Sequence, residues 1–103
     1  MSLSELGRLA EPALLIMASL AGGPKHGYAM MEDIEKMTGV HTGPGTLYGA
    51  LARIEEQGFI EELPAVQRRR PYRLTALGQQ VLREQLTSME QFASTGLQRL
   101  ATL

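Results

Sequence analysis

Cysteine and tryptophan are absent from the 103 residues, histidine occurs only as His26 and His41, and Asp33 is the one aspartate. Without a thiol, neither a disulfide framework nor a thiolate metal site can form, which fits a reducing compartment, the cytoplasm. Aromatic residues make up 5% of the chain, so few side chains are available to stack on a planar ligand. Long hydrophobic runs are also lacking. The longest, Ala13 to Ala21, is broken by Ser19 and is too short to span a bilayer, and no basic stretch precedes it as a secretory signal requires. Neither sign of charge dominates, since the net charge is −1. That argues against a uniformly basic nucleic-acid binder but leaves room for a bipolar surface.

A catalytic constellation is missing too. Glu55 and Glu56 diverge by about 100° on a helix, and Glu61 and Glu62 point to opposite sides of a strand. Gly43-Pro44-Gly45-Thr46 lacks the lysine of a phosphate-binding loop. His26 reads as a helix-start hydrogen-bonding group rather than a metal ligand. The expectation is a non-enzyme with no metal and no cofactor.

Arrangement carries more than composition. Leu6, Leu9, Ala10, Ala13, Leu14, Met17 and Leu20 have helical spacing, with Pro12 marking a start or a kink and Gly22-Gly23-Pro24 an end. A second helix is predicted from about Tyr28 to Thr38, with Met30, Met31, Ile34 and Met37 on its apolar side and Gly39 as its stop. A third starts at Pro44 and ends at Gly58, with Leu47, Leu51 and Ile54 on one face and Thr46, Gly49, Arg53 and Gln57 on another. The short link from Gly39 to Gly43 makes helices two and three a helix-turn-helix. Phe59 to Leu63 and Arg70 to Leu74 then read as an antiparallel hairpin with a loop of about six residues, its tip at Ala65 to Arg69. Thr75 is an N-cap for a final helix that runs nearly to the end.

This order predicts a mainly α fold with a small two-stranded antiparallel hairpin: a winged helix-turn-helix over residues 1–75 and a C-terminal dimerisation helix over residues 76–103. On the last helix Leu82, Leu86, Met89, Ala93, Gly96, Leu100 and Leu103 alternate in steps of four and three, the spacing of a coiled-coil seam. Packing against a second copy, with help from Leu6, Leu14 and Met17 of the first helix, is the expected use of that stripe. The alternative is that it folds back on its own domain.

The motifs His26-Gly27-Tyr28, Pro44-Gly45-Thr46-Leu47-Tyr48-Gly49-Ala50-Leu51, Arg53-Ile54-Glu55-Glu56-Gln57-Gly58-Phe59-Ile60 and Tyr72-Arg73-Leu74-Thr75-Ala76-Leu77-Gly78 occur in this order. In them the chain resembles the PadR family of bacterial and archaeal transcriptional regulators, over about residues 12–90. The resemblance implies a dimeric winged-helix repressor of the short form, with a single C-terminal helix that builds the dimer together with the first helix. It also implies release from DNA when a small molecule binds. Gly43 stands where the family usually has a capping serine, with Thr42 a substitute phosphate or amide partner. Gly49 replaces a common proline, and the wing is shorter than usual.

On this reading Thr46, Gly49, Arg53 and Gln57 face bases in the major groove, where Arg suits guanine and Gln suits adenine. Arg53 could instead pair with Glu56, and Gln57 could be a solvated last-turn residue. Tyr48 donates its hydroxyl to a phosphate or packs against the wing. Lys25 and Tyr28 lie at a helix start that favours phosphate. Arg68, Arg69 and Arg70 reach the minor groove or flanking phosphates, while Arg73 is structural. The partners expected are a palindromic double-stranded operator, a second copy of the chain and a small apolar effector, the last in a pocket lined by Met89, Phe92 and Met17. The competing reading is a winged-helix protein-interaction module without DNA binding.

Overall fold

A computed structural model describes residues 11–103. Leu6 lies outside the described residues. Among these residues there are four helices and one hairpin: α1 (Pro12–Ala21), α2 (Gly27–Thr38), α3 (Pro44–Glu56), β1 (Ile60–Glu62), β2 (Tyr72–Leu74) and α4 (Ala76–Ala101). Pro12 begins α1 rather than kinking it, which suits a residue with no N–H to leave unsatisfied. Leu15, Ile16, Met17, Ser19 and Leu20 are all buried, so α1 is enclosed nearly all round and serves as the central strut. Gly39 closes α2 in the left-handed region at φ 76°, and its N–H donates to the Glu35 carbonyl. Thr38 Oγ1 donates to the Ile34 carbonyl at 2.7 Å and accepts from Val40 N–H at 3.1 Å, which shapes the turn into α3.

Met30 and Ile34 of α2 meet Leu47, Ala50, Leu51 and Ile54 of α3 around α1, and Ile60 and Leu74 cap this core from the hairpin. Each large apolar side chain enclosed in this way contributes about 1.5–3 kcal/mol relative to exposure. Two polar residues among those described are also buried, Thr42 and, on α1, Ser19. The Ser19 hydroxyl donates to Asp33 Oδ2 at 2.7 Å, pinning α1 to α2.

The strands pair antiparallel with Ile60 opposite Leu74, Glu61 opposite Arg73 and Glu62 opposite Tyr72. They are shorter than the sequence suggests, and residues 63–71 form a longer connection than expected. Leu63 N–H donates to the Pro71 carbonyl at 2.8 Å, and Val66 and Arg69 exchange both backbone hydrogen bonds at 2.8 and 2.9 Å. Gln67 and Arg68 between them have φ of 51° and 68°. Two positive φ values in a two-residue loop define a type I′ turn, here built without the usual glycine or asparagine. The hairpin also gains a third backbone partner that periodicity does not reveal: Lys25 exchanges hydrogen bonds with Tyr72 at 3.1 and 3.2 Å.

Thr75 caps α4 as expected, accepting from Gly78 N–H at 3.0 Å and donating to the Gly58 carbonyl at 2.6 Å. Gly78 packs so closely on the preceding loop that a Cβ there would overlap the Phe59 carbonyl. Leu82, 4% exposed, completes the anchored part of the helix. Leu82 therefore belongs to the core of its own chain and not to the exposed apolar stripe, because α1 and the hairpin already cover the first turns of α4. Met17, also 4% exposed, is withdrawn in the same way by its position on α1. It is enclosed in the core, off the outer surface of α4, and cannot line a pocket there with Met89 and Phe92. Leu14 is half-buried against the core. Leu86, Met89, Phe92 and Leu100 remain exposed, as does Ala93, with Gly96 half-exposed.

Candidate nucleic-acid interface

Helix α3 buries Leu47, Ala50, Leu51 and Ile54, which fixes the opposite side outward. Thr46, Gly49, Arg53 and Gln57 all lie on exposed positions, and nothing packs within 4 Å of where Cβ atoms on Gly45 or Gly49 would sit. The exposed face is low at its centre and polar at its end. Arg53 forms no ion pair with Glu56. Gln57 stands just past the helix as its C-cap, with Gly58 following at φ 82°.

Gly43 supplies no side-chain cap to α3, and Thr42 does not substitute for one. Thr42 is 6% exposed, tucked in ahead of the helix, so it is withdrawn from the surface on which a phosphate partner was expected. Lys25 is likewise turned inward. Its ammonium donates to the Ser19 carbonyl and to the Gly23 carbonyl at 3.2 Å, and lies 3.8 Å from Asp33 Oδ2. Those acceptors close the α1–α2 connection around Lys25 and leave it no role at the outer face. Tyr28 and Tyr48 are more than half exposed. Tyr48 lies over Gly27, where a Cβ would sit 2.9 Å from its Cζ, so glycine at this position admits the ring.

The wing arginines divide into two pairs. Arg73 faces its cross-strand partner Glu61 at 2.6 Å, and Arg70 meets Glu62 at 2.9 Å. That hydrogen bond and charge raise the Arg70 pKa further above its ordinary range. Arg68 sits on the type I′ turn and makes no ion pair or hydrogen bond among the described residues. Arg69 reaches across to α2, with Nη1 3.0 Å from His26 Nε2. His26 was legible as a helix-start group, and its Nδ1 does accept from Ala29 N–H at 3.3 Å. Its link to the wing was not legible, since nothing local relates positions 26 and 69.

Between these parts is a cleft of about 450 Å³, walled by His26, Gly27 and Tyr28 of α2, Tyr48 of α3, and Arg68, Arg69, Arg70 and Tyr72 of the wing. Burial, then the Glu62 and Glu55 carboxylates, raise the Tyr72 phenol pKa, so it stays a neutral hydroxyl. Arg68, Arg69 and Arg70 line this cleft, and Arg70 is already paired with the Glu62 carboxylate. The chemistry of the cleft favours an anion.

Among the described residues, no group of three or more His, Cys, Asp or Glu could hold a metal ion. No helix among them is long and apolar enough to cross a membrane.

Residues 16–84 match the family described as Transcriptional regulator PadR-like family. The chain is 42% identical over 82 residues to a 37.1 kDa protein in transposon TN4556 of Streptomyces fradiae, covering 80% of this chain and 24% of that relative. It thus spans about a quarter of the curated relative it matches. Among solved structures it is similar to a transcriptional regulator from Clostridium thermocellum, with TM-score 0.72 and 26% identity, covering 81% of this chain and 86% of the other. A PadR family transcription regulator from hypervirulent Clostridium difficile shares the fold, with TM-score 0.78 and 22% identity over 88% of this chain and 99% of that one.

Proposed function

The chain belongs to the PadR-like family of transcriptional regulators, and from that premise we propose that it binds double-stranded DNA sequence-specifically as a homodimeric repressor. One observation carries the reading. Tyr48 of α3, the start of α2 and an arginine-tipped wing border a single cleft lined by three arginines, of which Arg70 is paired with a carboxylate.

In this reading the winged unit of residues 1–75 docks with α3 in the major groove. Thr46 and Gly49 lie against base edges, Arg53 engages guanine and Gln57 adenine. The bare surface at Gly45 and Gly49 lets the helix backbone approach closely. Tyr28 and Tyr48 donate hydroxyls to the flanking strand, and Arg68 and Arg69 follow the phosphates or enter the minor groove, adding affinity more than sequence choice. Arg70, already held by Glu62, contributes at the edge. Residues 76–103 supply the second function. Leu86, Met89, Phe92, Ala93, Gly96 and Leu100 pair with the same stripe of another copy, so the operator is palindromic, with half-sites about 34 Å apart. A small apolar effector binding beside Met89 and Phe92 would change the spacing of the two α3 helices and release the operator. The setting is the cytoplasm, and no enzymatic activity is assigned.

Salt dependence tests the reading. Duplex affinity should fall as salt rises, with a log–log slope of about −0.9 for each phosphate neutralised. Replacing Arg68, Arg69 and Arg70 together by Ala should weaken binding and lower that slope by about two, because Arg70 is already paired. Unchanged affinity and slope would remove the wing from the interface. Absence of any salt-dependent duplex binding would instead favour the protein-interaction module.

A further inference from the structure

His26 is asked to do two things that one neutral imidazole cannot do together. Its Nδ1 lies 3.3 Å from Ala29 N–H, a donor at the first turn of α2. Its Nε2 lies 3.0 Å from Arg69 Nη1, which can only donate. A neutral ring has one acceptor nitrogen, and a protonated ring has none. With the proton on Nε2 the ring caps α2 and sets two donors face to face across the cleft. With the proton on Nδ1 the ring holds Arg69 and turns an N–H toward the Ala29 N–H. Either tautomer leaves one of the two contacts donor against donor.

An oxyanion beside the ring resolves the conflict. Arg69 and His26 Nε2–H then both donate to the anion, while Nδ1 remains the acceptor for Ala29 N–H. The surroundings suit such a group. Arg68 stands on the adjoining turn, the Tyr28 and Tyr48 hydroxyls border the same cleft, and the cleft measures about 450 Å³. Building on the DNA-binding reading above, we propose that this cleft is an oxyanion site for a phosphodiester group of duplex DNA, with His26 Nε2–H and Arg69 as joint donors. His26 thereby joins the interface as a phosphate contact and couples phosphate capture to the start of α2.

The test uses the full chain with ¹⁵N-labelled imidazoles at pH 8, titrated separately with a short duplex and with inorganic phosphate. The duplex should drive His26 to the Nε2–H tautomer and slow exchange of the Ala29 amide about fivefold, the effect of a firmer cap. His26→Asn, which keeps a good N-cap residue but offers no Nε2–H, should weaken duplex binding about tenfold and leave the salt slope unchanged, because the neutral ring carries no charge, whereas Arg69→Ala should lower that slope by about one. Inorganic phosphate should produce the same tautomer shift at higher concentration. If phosphate shifts the ring and the duplex does not, a free phosphate ion is the occupant and the assignment to DNA is overturned. If the duplex perturbs the amides of Thr46 and Gly49 while the His26 nitrogens and the duplex affinity of His26→Asn stay unchanged, the oxyanion site is overturned and the DNA-binding reading stands. If neither titrant changes any resonance, both fall.

Discussion

The first turns of α4 and its remaining turns are one continuous helix with one apolar periodicity, yet they live in different environments. In the first turns Gly78 lies against the Phe59 carbonyl and Leu82 is 4% exposed. One turn later Leu86 is 44% exposed, and Phe92 reaches 81%. The apolar stripe crosses from a filled core to open surface without any change in sequence character. Helical spacing identifies which side of a helix is apolar, but what lies opposite that side is decided by distant segments. Here those are α1 and the hairpin, which extend only as far as the first turns.

The contrast can be broken most severely at Gly78. Gly78→Ala forces a methyl group into a backbone carbonyl that cannot move aside, and should destabilise the protein by more than about 4 kcal/mol in urea unfolding. A loss below 1 kcal/mol would mean that α4 is not docked there. Next comes a matched pair. Leu82→Ala should cost about 3 kcal/mol through lost burial and a residual cavity. Leu97→Ala, at a position 68% exposed, should cost less than about 0.5 kcal/mol at concentrations where the chain is monomeric. Equal losses at the two sites would erase the distinction between the halves. The smallest effect on stability is expected from Phe92→Asp, which should leave the unfolding midpoint of the monomer unchanged. It should weaken self-association in sedimentation about thirtyfold, or about 2 kcal/mol. Undiminished association would move the contact surface elsewhere.

Much of this was readable in the chain because its punctuation is strong. Pro12, Pro44, Gly39, Gly58 and Thr75 stand at helix boundaries where their backbone or capping chemistry is needed, and the structure uses all five there. The outward side of α3 followed from its inward leucines. What sequence could not supply were contacts between remote segments and the direction of long polar side chains. Lys25 reads as a surface cation beside a helix start, yet the Ser19 and Gly23 carbonyls and Asp33 draw it in. Thr42 reads as a polar turn residue but is buried. The arginine run looks uniform in sequence. Pairing with Glu62 sets Arg70 apart from Arg68, and a helix-capping histidine singles out Arg69.

The backbone pair between Lys25 and Tyr72 has a consequence for the order in which the chain assembles. It joins residues on either side of α2 and α3, so its loop-closure entropy is lost before the contact returns any stabilisation. The helices, whose contacts are more local, can dock first. The wing is then registered against an existing surface and is among the last parts to form and the first to open. Mutations at Tyr72 should accordingly speed unfolding far more than they slow folding, giving φ-values near zero against values of about 0.5 or more at Leu51. In kinetic terms, the segment that would meet the nucleic acid is added to the fold late.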